Sequence, residues 1–67
     1  MQLINYKGTD YLITSRDYKD IIFYEITSMD KAPFVIAINE HAEWEANSDQ
    51  PDDLIKFLGE SIEKGEL

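Results

Sequence analysis

Apolar and polar residues follow two periods along this chain, and the clearer of the two predicts a helix at the carboxyl end. In residues 49–65, apolar side chains recur every three or four positions, at Leu54, Ile55, Leu58 and Ile62. This spacing places them on one stripe of an amphipathic helix, with charged residues on the opposite side. The helix therefore has one face that must pack against the rest of the protein.

Residues at both ends of this segment are typical of helix termini. Ser48 or Asp49 can cap the first free N–H groups with a side-chain oxygen. Pro51 is tolerated in the first turn, where its missing N–H costs nothing, and Gly65 is suited to a left-handed stop. Gly59 weakens the helix relative to alanine, and would allow a strand to approach closely.

The rest of the chain predicts strands, from alternation in residues 11–15 and 43–46, from β-branched and aromatic residues in 21–27 and from an apolar run in 34–38. The predicted strands are residues 1–6, 11–15, 21–27, 34–38 and 43–46, and the main connections are residues 7–10, 16–20 and 28–33. Short connections favour antiparallel neighbours, because a parallel pair needs a long crossover. The expected fold is α+β: an antiparallel meander of four to five strands with one C-terminal helix on one face, formed by residues 1–67 as a single domain.

Alternation within the strands assigns residues to the two faces of the sheet. Because Glu25 should face solvent, Ile22, Tyr24 and Ile26 face the helix. The helix side is also expected to hold Phe34, Ile36, Ile38, Trp44 and Ala46. Four apolar residues are left on the side that the helix does not cover, and we call them the open-face set: Leu12, Ile21, Phe23 and Val35. Exposed apolar patches often mark interfaces, so this set is the predicted interaction surface.

An alternative is that loops cover the open-face set. Tyr18 and Met29 are apolar residues in otherwise polar predicted connections. They could fold over the open face as a lid, in which case no interface would remain there.

Charge limits the classes of partner. The formal net charge is −8, which opposes direct binding to nucleic acid or to anionic membranes. The chain has no cysteine, which fits a reducing cytoplasm. Its first residues do not resemble a signal peptide, and no apolar run is long enough to span a membrane. We therefore expect a cytoplasmic protein.

The acidic excess lies in the middle of the sequence. Residues 32–55 contain no Lys or Arg and six acids, which form the predicted acidic surface: Glu40, Glu43, Glu45, Asp49, Asp52 and Asp53. Such a block could act as a decoy for a basic protein groove that normally binds nucleic acid. Strand alternation and the preference for acids at helix N-termini already account for most of these residues.

No pattern predicts catalysis or a cofactor. His41 is the only histidine, and its flanking glutamates lack the number and spacing of a defined metal site. Glu43 and Glu45 are expected to form the solvated side of their strand, so they are not candidates for acid–base catalysis. The sequence thus predicts no cofactor, no metal and no catalytic residue.

The leading hypothesis is a non-enzymatic interaction or assembly module that binds itself, as a homodimer, or another protein through the open-face set. The acidic decoy is the first alternative. A small-ligand protein or enzyme is a lesser one, because a core this small has little room for a pocket.

Overall fold

The computed structural model describes residues 2–65 and contains one sheet and one helix. The elements are β1 Gln2–Tyr6, β2 Thr9–Tyr18, β3 Ile21–Thr27, β4 Phe34–Ile38, β5 Trp44–Ala46 and α1 Asp52–Gly65. The strands are hydrogen-bonded in the order β1-β2-β3-β4-β5, and all four pairings are antiparallel. The predicted α+β meander with one C-terminal helix is confirmed. Met1, which the sequence placed in the first strand, lies outside the described residues.

The helix packs against both edge strands of the sheet, β1 and β5. Five strands spaced by about 4.8 Å are wider than a helix of about 10 Å, so the sheet must curl around α1. Its concave side and the helix stripe form the core, which consists of Tyr11, Ile13, Ile26, Phe34, Ile36, Leu54, Leu58 and Ile62. Tyr24 and Trp44 pack against this core, as the alternation predicted.

Two predicted boundaries are wrong at the second strand. Residues 16–20 were expected to be a polar connection, yet β2 continues to Tyr18 and the turn is only Lys19-Asp20. Arg16, Asp17 and Tyr18 are held by direct pairing with Phe23, Ile22 and Ile21 of β3. Pairing with an apolar strand therefore overrides the low strand propensity of Asp17.

The helix termini also differ from the prediction. The helix begins at Asp52, and the carbonyl oxygen of Pro51 accepts the N–H of Ile55 at 3.1 Å. Pro51 thus stands at the N-cap, not in the first turn, and the Ser48 hydroxyl instead accepts a hydrogen bond from Gln50. Gly65 is the last helical residue and not a left-handed stop.

The structure explains why residue 59 is a glycine. A Cβ atom built on this residue would lie 2.4 Å from Cδ1 of Trp44. Contacts that short essentially never occur, so a side chain here would displace the indole. The close approach that the sequence suggested is therefore made by the Trp44 ring against the helix.

Candidate functional site

The β2–β3 hairpin extends beyond its neighbours at one end of the sheet. β2 and β3 pair from Leu12↔Thr27 to Tyr18↔Ile21. β1 pairs with β2 only over residues 9–13, and β4 pairs with β3 only over residues 24–26. Residues 15–23 therefore form a two-stranded projection, which we call the hairpin end.

The tip of the hairpin end has an unfavourable backbone conformation. Lys19 has φ 49° and Asp20 has φ 69°, so two consecutive non-glycine residues occupy the left-handed region. The β1–β2 turn has the same positive φ values at Lys7 and Gly8, 50° and 85°, but places glycine second. Two-residue hairpin turns of type I′ require positive φ at both positions, and glycine adopts it without steric cost.

Large apolar side chains are exposed at this end of the sheet. Tyr18, Ile21 and Ile22 are 60–63% exposed, and Ile38 at the end of β4 is 52% exposed. In the antiparallel register that pairs Tyr24 with Ile36, Ile38 would stand opposite Ile22. The two strands separate before reaching that pair, so both isoleucines border a gap.

A groove lies on the helix side of this gap. It has a volume of about 350 Å³ and is lined by Ile22, Tyr24, Ile38, Trp44, Ile62 and Glu63. Five of these six side chains are apolar or aromatic. The Trp44 and Tyr24 rings pack with centroids 5.7 Å apart and form one wall. We call this feature the apolar groove.

The helix leaves the groove open because of where it ends. Asp53 at its start contacts Tyr6 and Lys7 beside the β1–β2 turn, and Gly65 at its end lies against Gln2. Gln2 stands opposite Ile13, so the helix stops level with that part of β2. Ile22 and Ile38, which the alternation assigned to the covered side, therefore stay exposed.

The open-face set does not form one patch. Ile21 is exposed, whereas Leu12, Phe23 and Val35 are half-buried. Leu12 and the residue paired with Phe23, Arg16, are four positions apart on β2, which is about 13 Å along a strand.

Polar side chains fill the space between them. Thr14 stands opposite Glu25, which in turn stands opposite Val35, and Arg16 donates a hydrogen bond to Glu25 at 3.2 Å. The predicted lid is not formed either, because Tyr18 belongs to β2 and Met29 is fully exposed.

The predicted acidic surface is distributed over several parts of the fold, although all six of its residues are exposed. Glu45 alternates with Trp44 and Ala46, which pack on the core, and so points to the open face. Glu43 and Asp52 line a separate groove between β5 and the helix. Asp53 is engaged elsewhere, by Tyr6 and Lys7.

Tyr6, Lys7 and Asp53 form the one cluster of described residues with shifted pKa values. The Tyr6 hydroxyl donates a hydrogen bond to Asp53 Oδ2 at 2.6 Å, and Lys7 Nζ donates to the same oxygen at 3.2 Å. The bond to Asp53 raises the pKa of both Tyr6 and Lys7, and the bonds from Tyr6 and then Lys7 lower the pKa of Asp53. All three shifts move away from neutral pH, which is opposite to the tuning of acid–base catalysts. The cluster is best described as a tether between the β1–β2 turn and the helix.

His41 lies in a turn organised by Asn39. The Asn39 side-chain oxygen accepts the N–H groups of His41 and Glu43 at 2.8 and 3.0 Å. The imidazole is exposed, with Glu40 3.8 Å away. Within residues 2–65 no group of three or more potential metal ligands occurs. In the same described region, no helix is long and apolar enough to cross a membrane.

Comparison with protein-family models, curated proteins and solved structures finds no match to this chain. Its own surfaces are therefore what indicates a function, and the hairpin end with the apolar groove is the most distinctive of them. Sequence reasoning missed this site because it assigned Ile22 and Ile38 to the covered side. The available signal was Gly59, since a glycine within a helix indicates a close partner.

Proposed function

We propose that this protein is a non-enzymatic interaction module that binds another protein through the hairpin end and the apolar groove. One observation carries the proposal: Tyr18, Ile21, Ile22 and Ile38 are all more than half exposed at the same end of a small domain. Scattered exposed apolar residues are normal, but a concentration of them at one end of a domain is more typical of an interaction site.

The shape of this end supports the same function. A projecting hairpin presents side chains on both of its faces, with Ile21 on the open side and Ile22 on the helix side. Exposed aromatic side chains such as Tyr18 are common at interfaces, because they bury a large area with few rotatable bonds. Association would bury apolar surface that folding alone leaves in water, and would therefore also stabilise the fold.

A second protein is favoured over a second copy by the net charge. Each chain carries a net charge of −8, so two copies would bring a charge of −16 together, and the homodimer must overcome that repulsion.

We propose the cytoplasm as the compartment, because the chain has no cysteine and so no disulfide to stabilise it in an oxidising compartment. The acidic decoy remains a prediction that the dispersed positions of its six residues do not favour.

Site-specific photo-crosslinking in cells tests the proposal. A photo-reactive amino acid is placed at position 22 in one variant and at position 29 in a matched control. Both native residues are large, apolar and exposed, but Met29 lies away from the hairpin end. We expect position 22 to crosslink a discrete protein that position 29 does not. Equal crosslinking from both positions, or none from position 22, would contradict the proposed surface.

Sedimentation of the purified protein over a concentration series tests the choice of partner. We expect a monomer throughout. A dimer that forms with concentration and is lost in Ile22→Ser would show that the surface binds a second copy, and would overturn the assignment to another protein.

A further inference from the structure

We infer that the apolar groove takes a cationic amphipathic segment of the partner, with one or two large apolar side chains inside the groove and Lys or Arg around it. This inference rests on the proposed function and specifies the chemistry of its partner.

The size and lining of the groove define the anchor. Its volume of about 350 Å³ is at the lower end of the range of about 300–1,000 Å³ found for binding pockets. Its walls are aliphatic on the strand side, with Ile22 and Ile38, and aromatic near the helix, with Trp44. Aromatic or branched apolar side chains in such desolvated pockets contribute most of the energy of typical interfaces.

Acidic residues surround the groove. Glu63 is part of its lining, and Asp17 stands directly opposite Ile22 on β2, so it shares the helix side of the sheet. Further acids follow in the connections next to the lining residues: Asp20 at the hairpin tip, and Glu40 two residues after Ile38.

Fewer bases oppose these four acids. Lys19 lies in the hairpin turn and Lys64 follows Glu63 on the helix. The rim is therefore net negative around an apolar centre. Complementary charge at a rim mainly increases the association rate and selects the partner, whereas the apolar centre supplies affinity.

The same charge distribution discriminates between partners. A second copy, an anionic lipid surface or a nucleic acid would bring further negative charge to the rim. A neutral apolar segment would fill the groove but leave the four acids without partners. An apolar anchor flanked by Lys or Arg is the chemistry that satisfies both parts of the site.

Trp44 provides a direct reporter of occupancy. It is the only tryptophan in the chain and it lines the groove. Three synthetic probes without Trp or Tyr are titrated into the full-length protein. The first is an amphipathic peptide with a leucine face and a lysine face. The second replaces each lysine with glutamate, and the third keeps the first composition but scrambles it so that the apolar face is lost.

We expect the first peptide to change the Trp44 emission in a saturable manner, with an affinity at least about tenfold higher than that of the scrambled peptide. The glutamate peptide should not bind. Ile38→Ser and Ile22→Ser should each weaken the first peptide by about tenfold or more. Met29→Ser is the matched control, and should leave its affinity unchanged. Circular dichroism verifies that each variant is folded, which is expected because all three positions are exposed.

Two kinds of outcome overturn the inference, one for the apolar groove and one for the acidic rim. Equal binding of the amphipathic and scrambled peptides, or full binding to Ile38→Ser, would show that attraction to the −8 charge alone is responsible. Equal binding of the glutamate peptide would show that the acidic rim has no role. A discrete crosslink from position 22 in cells, combined with either outcome, would leave the proposed function intact and reject only the cationic partner.

Discussion

Six of the seven isoleucines in the sheet divide into two groups that differ in whether the helix covers them and not in the kind of element they occupy. Ile13, Ile26 and Ile36 are at most 1% exposed, whereas Ile21, Ile22 and Ile38 are 52–60% exposed. Both groups lie in alternating strands of the same sheet. The first group lies beneath the helix stripe of Leu54, Leu58 and Ile62, and the second lies beyond the end of the helix or on the open face. Strand alternation thus sets the direction of a side chain, but the extent of the covering layer decides its burial.

The difference matters for stability as well as for binding. Burying a large aliphatic side chain contributes about 1.5–3 kcal/mol relative to leaving it in water. That contribution is missing at Ile21 and Ile22 of the hairpin end and at Ile38 at the end of β4. A domain of this size has a small total stability, so retaining exposed isoleucines at one end is more consistent with an interface than with folding alone.

The largest predicted effect separates the two regions directly. Leu58 is fully buried, so Leu58→Ala should destabilise the fold by about 2–5 kcal/mol through lost burial and a cavity. Ile22→Ala removes the same number of carbon atoms but from an exposed position, and should change stability by less than about 0.5 kcal/mol. Urea unfolding followed by circular dichroism measures both. Similar losses from the two substitutions would show that the hairpin end is part of the cooperative core. Ile36→Val, with an expected cost of about 0.5–1.5 kcal/mol, covers the case in which Leu58→Ala does not fold.

The sequence was sufficient to predict the covered region. The apolar, β-branched and aromatic content of residues 21–27 and 34–38 and the helical period near Leu58 predicted the correct elements, and the solvent-facing Glu25 then identified the inward residues Ile26 and Ile36. These patterns are local, and the hydrophobic face they define has one way to be buried. The same reasoning failed at Ile22 and Ile38, because the point at which the helix stops relative to β3 and β4 depends on tertiary contacts.

Register explains why the open-face set was misjudged as a patch. Alternation correctly placed Phe23 on the open face with Glu25, but only the pairing of β2 with β3 shows that Arg16 stands opposite Phe23. Charged residues in the predicted connection were excluded from the sheet on propensity. The pairing of β2 with β3 brings these residues into the sheet. The contact between Arg16 and Glu25 then interrupts the apolar surface.

The next prediction concerns the boundary between the buried core and the apolar groove. At this boundary Gly59 allows the Trp44 ring to pack directly on the helix. Gly59→Ala would normally stabilise a helix by about 1 kcal/mol. Here the added Cβ would meet the indole, so we expect a net destabilisation of about 1–3 kcal/mol and a shift in Trp44 emission. In a Trp44→Leu background the clash is removed, and Gly59→Ala should become neutral or stabilising. Stabilisation by Gly59→Ala in the native background would contradict the contact.

A smaller effect is expected at the hairpin tip. Asp20 occupies the left-handed region with φ 69°, which costs non-glycine residues about 1–2 kcal/mol and aspartate less than most. Asp20→Gly removes this conformational cost and should raise the stability of the fold by up to about 1 kcal/mol. Asp20→Ala removes the same charge without the conformational relief, and should lower stability. Thermal unfolding of the two variants distinguishes strain from charge. If both raise the melting temperature equally, removal of charge is the cause and the tip is not strained.

The smallest predicted effect belongs to the tether at the opposite end of the helix, and it depends on pH. The hydrogen bonds from Tyr6 and Lys7 lower the pKa of Asp53, so the tether stabilises the fold above the ordinary aspartate pKa of about 3.9. That contribution is lost as the pH falls through the lower pKa of the folded state. The raised pKa of Tyr6 has the opposite consequence at high pH: its contribution is present below about 10 and is lost as the hydroxyl ionises.

We therefore expect the melting temperature of Asp53→Asn to lie below that of the native protein between about pH 5 and 9, with the gap narrowing below about pH 4. Asp52→Asn is the control, because it removes one charge from the same helical turn but leaves both tether hydrogen bonds in place. Lys7 and Asp53 are exposed, so added salt should reduce the difference in melting temperature between Asp53→Asn and the native protein. A gap that persists unchanged to pH 2, or one matched by Asp52→Asn, would show that the first turn of the helix is stabilised by its dipole and not by the tether.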